Sequence, residues 1–111
     1  MFTKKLSFTP IKYPKARAMG ITRFPYEEYD DNHNRSYWEN SNGEWEKYEH
    51  NSNGYITYFE DSNGYWVKKE YDSNGIVIYF EDSNGYWVKK EYDSNGKRIY
   101  YENSDGKIIR N

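Results

Sequence analysis

Residues Tyr58 to Gly75 read YFEDSNGYWVKKEYDSNG, and Tyr79 to Gly96 read YFEDSNGYWVKKEYDSNG again, 21 residues further on. Working outward, Ser-Asn-Gly falls at 41–43, 52–54, 62–64, 73–75, 83–85 and 94–96, with Ser-Asp-Gly at 104–106, at spacings that alternate 11 and 10. Ten residues before Gly43 stands His33, in Tyr29-Asp30-Asp31-Asn32-His33, which aligns with Tyr71-Asp72-Ser73-Asn74-Gly75. The chain is therefore a tandem array with eight turns and, between and around them, nine short segments.

The turns fix what those segments are. Asp or Asn at the first position offers a side-chain acceptor, Ser and Asn tolerate the middle, and glycine takes positive φ at the end. The segments between are rich in Tyr, Trp, Phe, Ile and Val, which suit a pleated surface. Glycines every ten or eleven residues leave no window for a stable helix. Short connections force successive strands antiparallel, so the expected fold is all-β: an antiparallel meander of about nine strands in a twisted, open, single-layer sheet. The expected strands are 22–29, 34–39, 44–50, 55–60, 65–71, 76–81, 86–92, 97–102 and 107–110. A closed barrel would need more small or aliphatic interior residues than these strands supply.

The odd period adds a constraint. With three-residue loops at every turn, the two faces of the sheet would exchange at each repeat. A 21-residue unit needs alternate turns to differ by one residue in pairing, which predicts a three-residue loop at 83–85 and a four-residue loop at 93–96. One face then carries Ile76, Ile78, Phe80, Tyr86, Val88, Lys90 and Tyr92, and the other Val77, Tyr79, Glu81, Trp87, Lys89 and Glu91.

Composition agrees with a thin structure. The mean hydropathy of −1.29 is that of a disordered chain, yet 14 Tyr, 4 Trp and 5 Phe are what such chains lack. Aliphatic residues are too scarce for a thick interior, so rings and long amphipathic side chains must hold the sheet. The chain has no cysteine, which excludes disulfides and thiolate metal sites. Its first residues, MFTKKLSFTPIKYPKAR, contain no apolar run of signal-peptide length, and nothing approaches a membrane span, so the expected location is the cytoplasm. Residues 1–20 lie outside the repeat and read as a basic extended arm before an array over 21–111. Lys4, Lys5, Lys12, Lys15 and Arg17 have no acidic companion before Glu27.

The candidate binding residues are two columns and this arm. Trp45, Trp66 and Trp87 recur in register, as do Tyr37, Tyr58, Tyr79 and Tyr100, and such rings form a stacking platform for sugars or bases as well as packing for a thin sheet. Lys4, Lys5, Lys12, Lys15 and Arg17 offer a phosphate contact, but residues 34–111 carry 14 acidic against 10 basic residues, which opposes nucleic acid. His33 fills a turn-glycine slot and His50 the Tyr71 slot, so both read as drift of the repeat. The turns lack the multiple carboxylates of a calcium loop, and the acids recur in register, as Glu60 with Glu81, where a catalytic pair would break the pattern. No catalytic residue, metal or cofactor is expected.

The unit Glu70-Tyr71-Asp72-Ser73-Asn74-Gly75, returning at Glu91-Tyr92-Asp93, resembles the Tyr-Asp-x-x-Gly pattern of YD repeats in RHS-type proteins, over about residues 26–111. That resemblance implies antiparallel β-strips, which in the family coil into shells around toxin cargo; these 111 residues read as too short to enclose one, and no cargo or protease domain is expected. A looser likeness is to MORN-variant repeats and to aromatic cell-wall-binding repeats. The expected function is a non-enzymatic protein-binding module, in the manner of a small phage or mobile-element inhibitor that occludes a host complex. A glycan or cell-wall-binding platform and nucleic-acid contact through the arm are the competing readings. The more apolar face leads to the further expectation of a homodimer through sheet face or edge.

Overall fold

The computed structural model describes residues 11–111, so Lys4 and Lys5 of the basic arm lie outside the described residues. A four-residue helix, α1 (Lys15–Ala18), precedes nine strands: β1 (Tyr26–Tyr29), β2 (Arg35–Glu39), β3 (Trp45–His50), β4 (Ile56–Asp61), β5 (Trp66–Tyr71), β6 (Val77–Asp82), β7 (Trp87–Tyr92), β8 (Arg98–Asn103) and β9 (Ile108–Arg110). They form one antiparallel sheet in the order β1 to β9, an open meander with β1 and β9 at its edges. The radius of gyration is 18.4 Å, against about 13 Å for a compact domain of this length. A single layer explains the difference, since it has no second sheet to pack upon.

All eight turns share one construction. At Asp82 the backbone N–H donates to the Tyr86 carbonyl at 2.9 Å and the Gly85 N–H returns to the Asp82 carbonyl at 3.0 Å, closing a three-residue loop over 83–85. The Asp82 side chain accepts the N–H groups of Asn84 and Tyr86 through one oxygen, Oδ1, at 2.9 and 3.3 Å. The turns opening at Asp30, Asn40, Asn51, Asp61, Asp72, Asp93 and Asn103 repeat this pattern.

The expected four-residue loop at 93–96 is thus corrected: Asp93 pairs with Lys97 around a three-residue loop like the others. The odd residue is absorbed inside the next strand. Tyr92 faces Arg98 while Glu91 faces Tyr100, leaving Ile99 as a bulge. The same register shift leaves Ser36, Thr57 and Ile78 unopposed in β2, β4 and β6. A bulge costs one ladder pairing and leaves the turn free to keep its own best geometry. It also moves Val77: opposite Tyr71, Val77 lies on the Phe80 face rather than with Tyr79 as expected. Ile56, its counterpart one repeat earlier, lines a groove with Phe59, Tyr65, Val67 and Phe80.

The arm is not extended throughout either. Residues 13–18 turn into α1 and lie on the sheet, where Ala16, Tyr37 and Glu39 are the most deeply buried of the described residues. On the other face Val67 and Val88 are buried beneath neighbouring rings. β1 begins at Tyr26 rather than 22, because Pro25 lacks an N–H for the ladder and the preceding residues bend.

His33 adopts φ 68°, in the same left-handed region as the turn glycines, which stand at 82–86°. A side chain in that left-handed region is strained by about 1–2 kcal/mol, part of which glycine would lose again through the greater freedom of the unfolded chain. His33→Gly is therefore expected to stabilise the protein by about 1 kcal/mol, raising the melting temperature by about 4 °C. Calorimetry checks this, and an unchanged or lower midpoint would contradict the assignment of that turn to the common type.

Candidate functional site

Alternation along each strand puts Tyr-x-Glu of one strand and Trp-x-Lys of the next on one face. Pairing sets Tyr58 opposite Lys68 and Glu60 opposite Trp66; Tyr79, Glu81, Trp87 and Lys89 repeat the arrangement. Tyr37, Glu39, Trp45 and Lys47 form the first such quartet, and Tyr100, Glu102, Ile108 and Arg110 the last. In each, the tyrosine hydroxyl donates to the glutamate two residues on, at 2.8 Å (Tyr37), 2.9 Å (Tyr58), 3.1 Å (Tyr79) and 2.8 Å (Tyr100). The two sequence-identified columns are thus one four-fold set of sites, with the carboxylates between them.

The first quartet is filled by the chain's own residues 13–18. The Tyr13 ring stacks on Trp45 at 4.6 Å and 26°, and the Lys47 ammonium lies 5.6 Å from its centre. Glu39 accepts the Ala16 N–H at 2.7 Å and the Arg17 N–H at 3.3 Å, while Tyr37 Oη accepts the Lys15 N–H at 2.9 Å. The Lys15 ammonium donates to Glu28 at 2.5 Å, and the Arg17 guanidinium stands 3.8 Å from Glu39 and donates to the Ser41 carbonyl. A carboxylate with no solvent exposure is tolerable only when its lone pairs are met by donors, and here the backbone of the arm meets them.

Of the arm's cations, Lys15 and Arg17 therefore face acids of the sheet, and Lys12 is exposed. Trp45, Trp66 and Trp87 are half-buried on the same face as Tyr58, Tyr79 and Tyr100, with the Lys68 ammonium 5.4 Å from the Trp66 ring. Sequence reasoning missed Tyr13, Ala16, Glu28 and Glu39. Glu39 is indistinguishable in pattern from Glu60, Glu81 and Glu102; the one sequence signal was an arm with five cations and no acid of its own.

The electrostatics follow from this packing. Burial works to raise Glu28, and the hydrogen bonds from Lys15 and Tyr26 more than offset it, holding Glu28 below the usual carboxylate range. Tyr26 is pushed up to about 12, first by its hydrogen bond to Glu28 and then by burial. Tyr58 reaches about 12 through burial and then its bond to Glu60, and Tyr37 is raised further, burial again leading.

On the opposite face an open groove of about 420 Å³ is lined by Val77, Ile78, Phe80, Tyr86, Val88 and Tyr101 with the stems of Lys69 and Lys90. It continues into a second of about 340 Å³ over Ile56, Phe59, Tyr65 and Val67. Farther along, His50 is nearly buried with its Nδ1 3.8 Å from Asp30 and without a hydrogen-bond partner among the described residues. No described helix is long and apolar enough to cross a membrane.

No protein-family model and no curated protein sequence matches this chain.

Truncating Glu39 strands the Ala16 and Arg17 amides and the Tyr37 hydroxyl in a buried place. Glu39→Ala is expected to destabilise the protein by about 2–3 kcal/mol and to speed tryptic cleavage after Lys15 and Arg17. Unaltered cleavage kinetics would show that the arm is held by other contacts. A second outcome concerns alkali. Tyrosines raised in the folded state hold their protons more tightly than in the unfolded chain, so their contribution is complete below about pH 10 and is lost as the pH rises toward 12. The urea midpoint is expected to fall steeply between about pH 10 and 12, less so in the Tyr26→Phe/Tyr58→Phe variant; equal slopes in the two proteins would contradict this.

Proposed function

We propose that the chain is a non-enzymatic β-repeat module that binds a protein partner across its sheet. One observation carries this reading: the face bearing Ile56, Phe59, Val67, Val77, Phe80 and Val88 is covered by no second layer among the described residues, and its rings are left partly in water, Tyr65 at 36% and Tyr86 at 38% exposure. Continuous apolar surface rimmed by lysine stems has the composition of an interface centre, where aromatic anchors carry most of the binding energy. A single-layer sheet gains twice from a partner, because the contact both removes this surface from water and supplies the layer the fold lacks.

Other observations favour protein over the two competing ligands. Lys68 lies over the Trp66 ring, covering a surface that a sugar would need. Lys15 and Arg17 are drawn to Glu28 and Glu39, which reduces the positive charge available to a phosphate backbone. Such a module would act by occupying a partner's surface, as a small phage or mobile-element inhibitor of a host complex would. The YD-like repeat then serves as a scaffold for a surface rather than as the wall of a container.

The test is affinity capture from extract of the native host with the natural protein and with a Tyr65→Lys/Tyr86→Lys variant. Both tyrosines are exposed enough for the sheet to survive, which circular dichroism verifies. A specific protein retained by the first and reduced about tenfold or more with the second is the expected result. Equal retention by both, or no specific protein with either, would overturn the reading.

A further inference from the structure

The quartets Tyr58–Glu60–Trp66–Lys68 and Tyr79–Glu81–Trp87–Lys89 have the groups that hold residues 13–18 at the first quartet, yet no segment of the described chain is seated on them. The correspondence extends past the quartet. Glu28, which takes the Lys15 ammonium, faces Tyr37 across the β1–β2 pair, and Glu49 and Glu70 face Tyr58 and Tyr79 in the same way. A β-carbon added at Gly43 would lie 3.4 Å from Arg17 Nε and 3.8 Å from Pro14 Cγ, whereas at Gly64 and Gly85 nothing comes within 4 Å. The first turn of the row is covered and its counterparts stand open.

We propose that these two quartets are docking sites for a partner protein's segment built like residues 13–17: an aromatic ring, proline, lysine, a small residue and a second cation, entering a single helical turn. Each part of that description has its counterpart at the occupied site. The ring stacks on the tryptophan under the lysine ammonium, the two free amides of the turn reach the glutamate, and the lysine reaches the acid of the preceding strand. The small residue is required because the turn sits against the sheet, as Ala16 does with no exposed surface. Consecutive quartets are two strands, about 9.6 Å, apart, and packed helices lie about 8–10 Å axis to axis, so segments on neighbouring quartets would pack side by side in contact. The chain's own arm is retained at the first quartet, which makes a partner rather than a second copy the occupant of the others.

One difference sets the strength. Opposite Glu39 stands Tyr26, but opposite Glu60 and Glu81 stand Lys47 and Lys68, with the Lys47 ammonium 3.9 Å from Glu60. Those lysines compete with incoming amides for the carboxylate, and a free segment also loses conformational freedom that the tethered arm does not. Dissociation constants on the order of 0.1–1 mM are expected for a single short peptide, with tighter binding when two segments are linked.

The experiment uses the isotope-labelled full chain and a synthetic peptide of residues 11–20, IKYPKARAMG, titrated to about 5 mM while the indole N–H signals of the four tryptophans are followed by NMR. Saturable shifts at Trp66 and Trp87 are expected, reduced about tenfold in apparent affinity in a Glu60→Gln/Glu81→Gln variant and by Tyr→Ala in the peptide. These two glutamates are half-exposed, so the variant is expected to keep its fold, and unchanged remaining amide signals verify that. No saturable shift, shifts at Trp45 alone, or undiminished binding by the variant would overturn the proposal. Shifts at Trp66 and Trp87 on raising protein concentration without peptide would assign the sites to a second copy and overturn it as well. This inference goes beyond the apolar face and stands on the opposite one. Failure of peptide binding leaves capture through Tyr65 and Tyr86 intact, and failure of capture leaves the peptide result intact.

Discussion

Everything in this sheet depends on one side-chain oxygen per turn. In each of the eight turns the Oδ1 of an Asp or Asn accepts two backbone N–H groups, those two and four residues on. Both donors would otherwise face water at the tip of a loop, and binding them to the residue that opens the turn fixes loop length at three. With all loops identical, a 21-residue unit cannot keep its faces unless a strand yields the odd residue. Four strands do so, at Ser36, Thr57, Ile78 and Ile99. The columns of tyrosine, glutamate, tryptophan and lysine that make up one face are a downstream result of that geometry.

The thinness of the fold explains which residues are irreplaceable. A single layer offers few places to bury a side chain, and outside the arm's contact the lowest exposures belong to Val67, Val88 and the turn residues Asp82 and Asn103. Alternate turns are tied along the sheet edge: the Ser83 N–H donates to the Trp66 carbonyl while the Trp66 N–H donates to Ser83 Oγ, and Ser104 repeats this with Trp87. Each hydrogen bond contributes about 1 kcal/mol, so a series of them in register supplies cohesion that apolar burial does not. Serine in the repeating tripeptide therefore stitches one unit to the next at alternate turns, and at the others is a tolerated turn residue.

Fold class, strand number and, to within one residue, every strand boundary except the start of β1 were legible in the sequence, because glycine at positive φ and an Asx acceptor are local signals that no tertiary contact needs to complete. The position of the odd residue was not. Parity alone shows that one must exist, but a loop at 93–96 and a bulge at Ile99 satisfy parity equally, and the choice between them rests on the energy of the turn. The Trp and Tyr columns were legible as columns, and their union into quartets needed the pairing register. Glu39 was invisible because its special environment comes from Tyr13, Ala16 and Arg17, more than twenty residues away in the chain.

A repeat with equivalent sites raises the question of why the arm selects the first. Connection length is part of the answer, since only residues 19–25 join α1 to β1, the strand that pairs with β2 of the first quartet. The rest lies where the repeat departs from itself. Lysine stands at 47, 68 and 89, opposite Glu60, Glu81 and Glu102, while position 26 in the same column is tyrosine, opposite Glu39. Tyr26 turns its hydroxyl to Glu28 and leaves the Glu39 carboxylate uncontested by any ammonium from that column. At the far end Ile108 replaces the tryptophan, removing the ring on which Tyr13 would stack. The array thus presents a graded series: one quartet whose carboxylate is met by the tethered arm, two complete quartets whose carboxylates face lysines of the preceding strand, and a last one lacking its ring. Small departures from an otherwise strict repeat are enough to give equivalent positions different surroundings.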